Sequence, residues 1–337
     1  MTDTPLVSIL IPAYNCEAWV GAAIESALAQ TWPNKEVIVF DDGSTDGTLA
    51  VIRSFGDAIR YDSARLGGQN VTRNRLTEMS RGEWLVYLDA DDELMPDSVE
   101  KKMRHSGETE VVYGSTEVAR FVGKEKVASY IEPALEYVDH WEGLFGWHYP
   151  NTSAMLLKRS AVLAAGGWDT SVKNCTDYAI YFPIAANGGR FKPVPDAISM
   201  YRHWSLSQAS YENSVRRIHT RLDMMVRAVR ELTAKGEATS ARLDIWARES
   251  LRGLRILQQW DRGRIGEFLG YIEELHPSYR PGPPAFSRSY ALMFRCFGFY
   301  PAQRVADLTR DIRRMLGLLR LEPEKYFLPG ADNVKPS

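Results

Sequence analysis

Cysteine is scarce. Cys16, Cys175 and Cys296 are the only three in 337 residues, and they lie too far apart to make a metal-type spacing or a disulfide framework. A reducing cytoplasm is therefore the expected compartment. No run of about 18 uninterrupted apolar residues occurs, which argues against a membrane-spanning helix. Residues 1–12 have no basic stretch and only a short apolar run, so no signal peptide is expected there. Charge of one sign is missing as well. The formal net charge is −2, and no global basic field points to nucleic acid. A Gly-x-Gly-x-x-Gly turn after the first strand, which a dinucleotide-dependent oxidoreductase needs, is absent. There is no internal repeat and no low-complexity tract.

What is present is globular. Apolar residues make up 45% and charged residues 25%, and the length exceeds what one core usually needs. Two domains, or one large domain with an appendage, are expected. Residues 6–11 read as a buried strand ending at Pro12. Residues 17–30 follow as a helix, with Val20, Ala23, Ile24, Ala27 and Leu28 on one face. Strand patterns recur at 36–40, 59–61 and 83–88, and helical patterns at 48–55 and 71–79. This βαβαβαβ order predicts an α/β fold with a mostly parallel, doubly wound sheet. Residues 116–150 are less regular and rich in aromatics. Further strands are expected at 153–157, 191–194 and 198–201, and helices at 159–165 and 177–186. After about residue 210 the composition changes. Apolar positions at helical spacing from Ile218 to Leu232 and from Leu243 to Leu257 predict a helical hairpin. Residues 277–284 read as a linker or bend, and 290–319 as helical again, broken near Gly298 and Pro301. The tail from about residue 329 is expected to be disordered.

In an open parallel sheet, ligands bind beyond the carboxyl ends of the strands. Three of the expected strands end in unusual chemistry: Pro12-Ala13-Tyr14-Asn15, Asp41-Asp42 and Asp89-Ala90-Asp91-Asp92. The last is the sharpest. Three carboxylates in four residues repel one another unless a cation sits among them. Hard oxygen ligands select Mg²⁺ or Mn²⁺, and few protein ligands leave positions for substrate phosphates. The alternative is a solvated acidic turn capping the helix that starts near Pro96.

Taken together, the motifs over roughly residues 5–210 resemble the GT-A glycosyltransferases of family 2. The resemblance rests on residues 8–15, Asp41-Asp42-Gly43-Ser44-Thr45-Asp46, Arg73-Asn74, Gly82-Glu83-Trp84, Asp89-Ala90-Asp91-Asp92, Gly166-Gly167-Trp168-Asp169, Thr176-Asp177-Tyr178 and Tyr201-Arg202-His203. It implies a GT-A catalytic domain over 1–210, with a nucleotide-binding half to about 115 and an acceptor-binding half from about 116. A helical C-terminal region, 211–337, is appended.

The implied activity is an inverting, metal-dependent transfer of a sugar from a nucleotide diphosphate donor to an acceptor hydroxyl on a carbohydrate or lipid-linked glycan. The resemblance also assigns residues. Pro12, Ala13, Tyr14 and Asn15 would line the base and ribose pocket, and Asp42 would accept from the base imide with Asp41 in support. Arg73 would face the base or the diphosphate. Asp89, next to Ala90, would hold ribose or sugar, and Asp91 would ligate Mn²⁺ or Mg²⁺ with His203 as a second candidate. Arg202 would clamp the phosphates. Asp177 would be the general base. Trp168, Asp169, Trp147 and His148 would meet the acceptor. The base is uracil by family habit, with guanine and thymine open.

Two departures from the family pattern stand out. Thr176 replaces a frequent Glu. Arg202 and His203 are adjacent, which on a regular strand turns the His to the opposite face. Ser205, Ser207 and Gln208 fall in a loop that closes over the donor in relatives. Residues 286–320 hold seven Arg and two Asp among apolar residues. Such a segment lies on an anionic membrane at the inner face, packs as an appendage or forms a homodimer contact. A sugar nucleotidyltransferase would carry a Gly-rich, Arg-containing loop where Asn15-Cys16-Glu17-Ala18 stands. A non-catalytic carbohydrate-binding relative would be expected to lack Asp91 or Asp177.

Overall fold

The computed structural model describes residues 4–107, 109–204 and 214–315. The expectations for Ser205, Ser207, Gln208, for 316–320 and for the tail from 329 lie outside the described residues. Two compact units emerge, Met1–Gln208 and Ala209–Ser337.

The first unit is built on strand β1 (Val7–Ala13), which is almost wholly buried because layers of structure cover both of its faces. Helix α1 (Val20–Leu28) leads to β2 (Lys35–Asp41), α2 (Thr48–Ser54) to β3 (Arg60–Ser63), and α3 (Gln69–Met79) to β4 (Trp84–Tyr87). The order β3-β2-β1-β4 is parallel throughout. A proline is tolerated in central β1 because the β4 ladder ends at Leu10, two residues before Pro12. Val7, Ile9 and Ile11 join Ala23, Ile24 and Ile52 of α1 and α2 in one core. On the other face Tyr87, in register with Leu10, hydrogen-bonds Thr77 of α3 at 2.6 Å.

Beyond β4 the mostly parallel sheet that was expected also takes in antiparallel strands. A short β5 (Glu93–Leu94) and α4 (Ser98–Met103) follow, then a hairpin of β6 (Val111–Val122) and β7 (Glu125–Glu132). Next come α5 (His140–Gly146), β8 (Met155–Lys158), α6 (Arg159–Ala164), α7 (Tyr178–Ala186) and β9 (Phe191–His203). Strand β8 runs antiparallel to β4 and β6, whereas β9 is parallel to β6 and antiparallel to β5. The two strands expected at 191–194 and 198–201 are one strand with a register shift opposite Gly114/Ser115. Strand β7 was not legible as a strand because every one of its side chains is exposed, which leaves no apolar alternation to read.

The second unit is helical. Helices α8 (Ser214–Ala234) and α9 (Ser240–Trp260) form the expected hairpin, turned at Gly236 with φ +72°. Gly253 of α9 lies against α8, and a Cβ there would come within 3.4 Å of Leu222. Helix α10 (Ile265–Leu275) was not anticipated. It is tied to α8 through Arg264, which donates to Asp223 at 2.9 and 2.8 Å. Helices α11 (Arg288–Phe297) and α12 (Phe299–Met315) meet at Gly298, whose φ of +78° makes the break expected there.

Candidate active site

The loops after β1 and β2 are stitched together. Asn15 adopts φ +47°, a region Asn tolerates, and its Oδ1 accepts from Thr45 N at 2.8 Å. Cys16 N donates to Thr48 Oγ1 at 2.8 Å, and Gly47 N to Glu17 at 3.0 Å. The stitching leaves Tyr14 exposed at the rim beside half-buried Pro12 and buried Ala13. Asp41 is buried and accepts from Ser63 Oγ at 2.8 Å, so it braces β2 against β3. Asp42 departs from its expected part. Its carboxylate takes the amides of Leu66, Gly67 and Gly68, the last two at 2.9 Å, and these bonds order the entry to α3.

The Arg73-Asn74 pair is structural in a way the sequence did not reveal. Asn74 holds the backbone of Trp168 from both sides, accepting from its N at 2.8 Å and donating to its O at 2.9 Å. Asn70 donates to Asp169 O at 2.7 Å. The Gly166-Gly167-Trp168-Asp169 turn is thereby docked on α3. Gly167, at φ +76°, must lack a Cβ, which would sit 2.7 Å from Asn74 Oδ1. Trp168 is buried edge-to-face against Tyr87 with centroids 4.9 Å apart, and so offers no open face to a sugar. Asp169 closes its own turn by accepting from Ser171 N at 2.9 Å.

Arg73 itself is fully buried, which corrects the expectation that it faces the base or diphosphate. Its guanidinium lies 4.4 Å from the Trp168 ring centroid. It donates to Asp89 at 2.8 Å, to Thr176 Oγ1 at 2.9 Å and to Thr152 Oγ1 at 3.2 Å, and it stands 4.0 Å from Asp177. Thr176, set aside as a departure from the pattern, is thus a ligand of this hub. Residues 89 and 177, distant in sequence, share one cation.

Asp177 precedes α7 and accepts from Thr152 Oγ1 at 3.1 Å. Its side chain is 29% exposed, so it reaches solvent. Burial raises its carboxyl above the ordinary range. Arg73 opposes that shift and Asp89 adds to it. Trp147, at φ +60°, stacks on the neighbouring Tyr178 with centroids 3.9 Å apart, which places an aromatic wall next to Asp177. His148 is exposed and stacks on Tyr137 at 5.9 Å.

The acidic turn divides its work. Asp92 is buried and accepts from Asn151 at 3.0 Å, Ser153 at 2.9 Å and Arg202 N at 3.0 Å. Burial pushes its carboxyl well up, and the charges of Asp91 and Asp89 push it further. Asp92 therefore anchors the turn. Asp91 lies at the partly open surface, and its Oδ2 accepts from Trp204 Nε1 at 2.9 Å. Ala90 between the acids is buried.

Arg202 is not a phosphate clamp in this arrangement. It is buried between Trp19 and Phe121, 4.2 and 4.6 Å from their ring centroids, and ion-paired with Glu93. His203 is half-buried, edge-on to Tyr201 at 4.5 Å, and burial lowers its pKa towards the neutral ring a metal requires. Among the described residues no three His, Cys, Asp or Glu form a ready-made metal cluster. The donor set suits a hard cation held by one or two protein ligands and completed by phosphate oxygens.

This architecture, a nucleotide-type parallel half-sheet joined to a mixed half at an acidic turn, is the GT-A fold. Residues 8–162 match Glycosyl transferase family 2. The chain is 32% identical over 201 residues to a chondroitin synthase of Escherichia coli, covering 55% of this chain and 27% of that protein. It is 38% identical over 112 residues to the E. coli UDP-Glc:alpha-D-GlcNAc-diphosphoundecaprenol beta-1,3-glucosyltransferase WfaP, covering 33% and 44%. The chain thus spans less than half the length of these relatives. S. aureus TarS 1–349, solved with UDP-GlcNAc, superposes with a TM-score of 0.59 at 15% identity, over 90% of this chain and 91% of that one. No helix among the described residues is long and apolar enough to cross a membrane.

Proposed function

We propose that the chain is an inverting glycosyltransferase. It moves a sugar from a nucleotide diphosphate donor, most simply a UDP-sugar, to a hydroxyl of a glycan, glycolipid or surface-polysaccharide precursor. The observation that carries this reading is the Arg73 hub, which gathers Asp89 of the acidic turn and Asp177 at the start of α7 on one buried cation. The relatives' names point to polysaccharide-type acceptors and the TarS complex to a UDP-sugar donor.

Tyr14 at the rim offers a stacking face for the base, and the Asn15 loop shapes the ribose side. Asp177 takes the acceptor proton as the acceptor oxygen bonds to the anomeric carbon. The bond from that carbon to the donor phosphate breaks, and the nucleotide diphosphate leaves. A single displacement of this kind inverts the anomeric centre. A carboxyl with raised proton affinity suits the base role, because it accepts a proton more readily than a solvated Asp. Asp91 and His203 are the groups that would hold Mn²⁺ or Mg²⁺. An ion held there would supply positive charge to offset the negative charge developing on the leaving group. Trp147 and His148 line the acceptor side.

The test is turnover of UDP-sugars in Mn²⁺. Asp91→Ala and Asp177→Asn should each lower it about a hundredfold or more. Wild-type turnover in either variant removes that residue's role.

A further inference from the structure

The α11–α12 hairpin buries one side and leaves the other bare. Phe286, Tyr290, Phe299, Ala302 and Gln303 are buried. Arg255 of α9 clasps that side, with its Nε on Gln303 at 2.8 Å and its guanidinium 4.9 Å from the Tyr290 centroid. Large apolar groups stand in water on both helices: Leu292 at 62% exposure, in line with Arg288 and Arg295 on α11, Phe297 at 63% at its end, and Leu308 at 61%, with Tyr300 and Val305 beside Leu308 on α12. In α12, residues 300, 304 and 308 form one row and 301, 305 and 309 the next, so the apolar groups share a face. Arg288, Arg295 and Arg304 are exposed on this hairpin, and none makes an ion pair among the described residues. At its edge opens a cavity of about 320 Å³, lined by Arg255, Ser287, Tyr290, Val305 and Arg310.

Exposed leucine and phenylalanine interleaved with unpaired arginine suits neither water alone nor an apolar protein partner. Arginines desolvated against an apolar face would lack partners. An anionic bilayer satisfies both components, because apolar side chains enter the acyl boundary while guanidinium groups meet lipid phosphates. We propose that α11–α12 is a docking surface for an anionic lipid bilayer, with the adjoining cavity offering a lipid phosphate Arg255 and, in exchange for its ion pair with Asp307, Arg310. The surface deepens the reading of the chain as an enzyme of glycolipid or surface-glycan assembly. Its test involves neither donor nor acceptor, so its failure leaves the transfer reaction untouched.

The experiment is sedimentation of the full chain with sucrose-loaded phosphatidylcholine vesicles, with and without phosphatidylglycerol. The protein should pellet only with the anionic vesicles, and less as salt rises. Arg288→Gln/Arg295→Gln/Arg304→Gln should weaken partition about a hundredfold at low salt. Leu292→Ser/Leu308→Ser should weaken it by about as much, with unchanged circular dichroism and melting, because both side chains are exposed. Inorganic phosphate at constant ionic strength should leave the pelleted fraction unchanged. No pelleting of the wild type, equal pelleting on phosphatidylcholine alone, or undiminished pelleting of the leucine variant overturns the proposal. So does release by phosphate, which would assign the cavity to a free anion. A wild-type dimer in light scattering that the leucine variant converts to monomer would assign the face to a second copy and equally overturn it.

Discussion

Lys102 lies wholly buried in α4, and its Nζ finds one partner, Ala154 O at 3.3 Å. Residue 154 ends the turn that carries Thr152 and Ser153, the ligands of Asp177 and Asp92. Burial pushes the amine from 10.5 down to about 7. A lowered lysine pKa means that the unfolded chain holds the proton more tightly than the folded one. The destabilisation is therefore complete below pH 7, fades between pH 7 and 10.5, and is absent above. At about 1.4 kcal/mol per pH unit, its full size is on the order of 4–5 kcal/mol. Lys102→Met keeps the chain length and removes the charge. Allowing about 1 kcal/mol for the lost hydrogen bond, the variant should gain about 3 kcal/mol at pH 6. That corresponds to roughly 6–12 °C in Tm for a unit of this size. Thermal melts of both proteins at pH 6, 8 and 10 would show the gap closing as pH rises. A gap independent of pH, or a less stable variant at pH 6, refutes the reasoning.

Arg73→Gln should cost about 3–5 kcal/mol, because it leaves two carboxylates around a vacated buried position; urea unfolding measures it. The same change removes the cation that holds Asp177 down, so the acid limb of the pH–rate profile should move to higher pH. Asp177→Asn should raise Tm at neutral pH, since a carboxyl with raised pKa is destabilising once ionised, and the gain should vanish in acid where the wild type is protonated. Trp168→Ala should cost about 3–5 kcal/mol in stability, whereas Trp168→Phe should leave the acceptor KM unchanged. A selective rise in KM would restore the residue to the acceptor surface.

The βα half of the fold was legible because buried parallel strands are continuous apolar runs with chemistry at their ends, as in residues 7–13 and 84–92. Helical periodicity exposed α8 and α9 in the same way. Strand β7 was hidden because it buries nothing, and α10 falls within the helical C-terminal region expected but carries only three buried apolar positions, Ile265, Phe268 and Ile272. Among site residues, Asp91 and Asp177 are both partly exposed. Arg73, Trp168 and Arg202 were read as ligand contacts, yet they are buried. A charged or aromatic residue in a motif looks the same in sequence whether it touches substrate or holds the groups that do. Only the Thr152, Thr176 and Asn74 partners, scattered along the chain, separate the two cases. Thr152, Ser153 and Trp204 had no local signal at all.

The central claim is that Asp91 serves donor binding through a divalent ion while Asp177 serves only the chemical step. Thermal shifts with UDP, with and without Mn²⁺, test it directly. The wild type and Asp177→Asn should both be stabilised by UDP only when Mn²⁺ is present, by about 2.7 kcal/mol at a hundredfold excess over Kd. Asp91→Ala should show no such stabilisation. Metal-dependent UDP stabilisation that survives in Asp91→Ala would contradict the account.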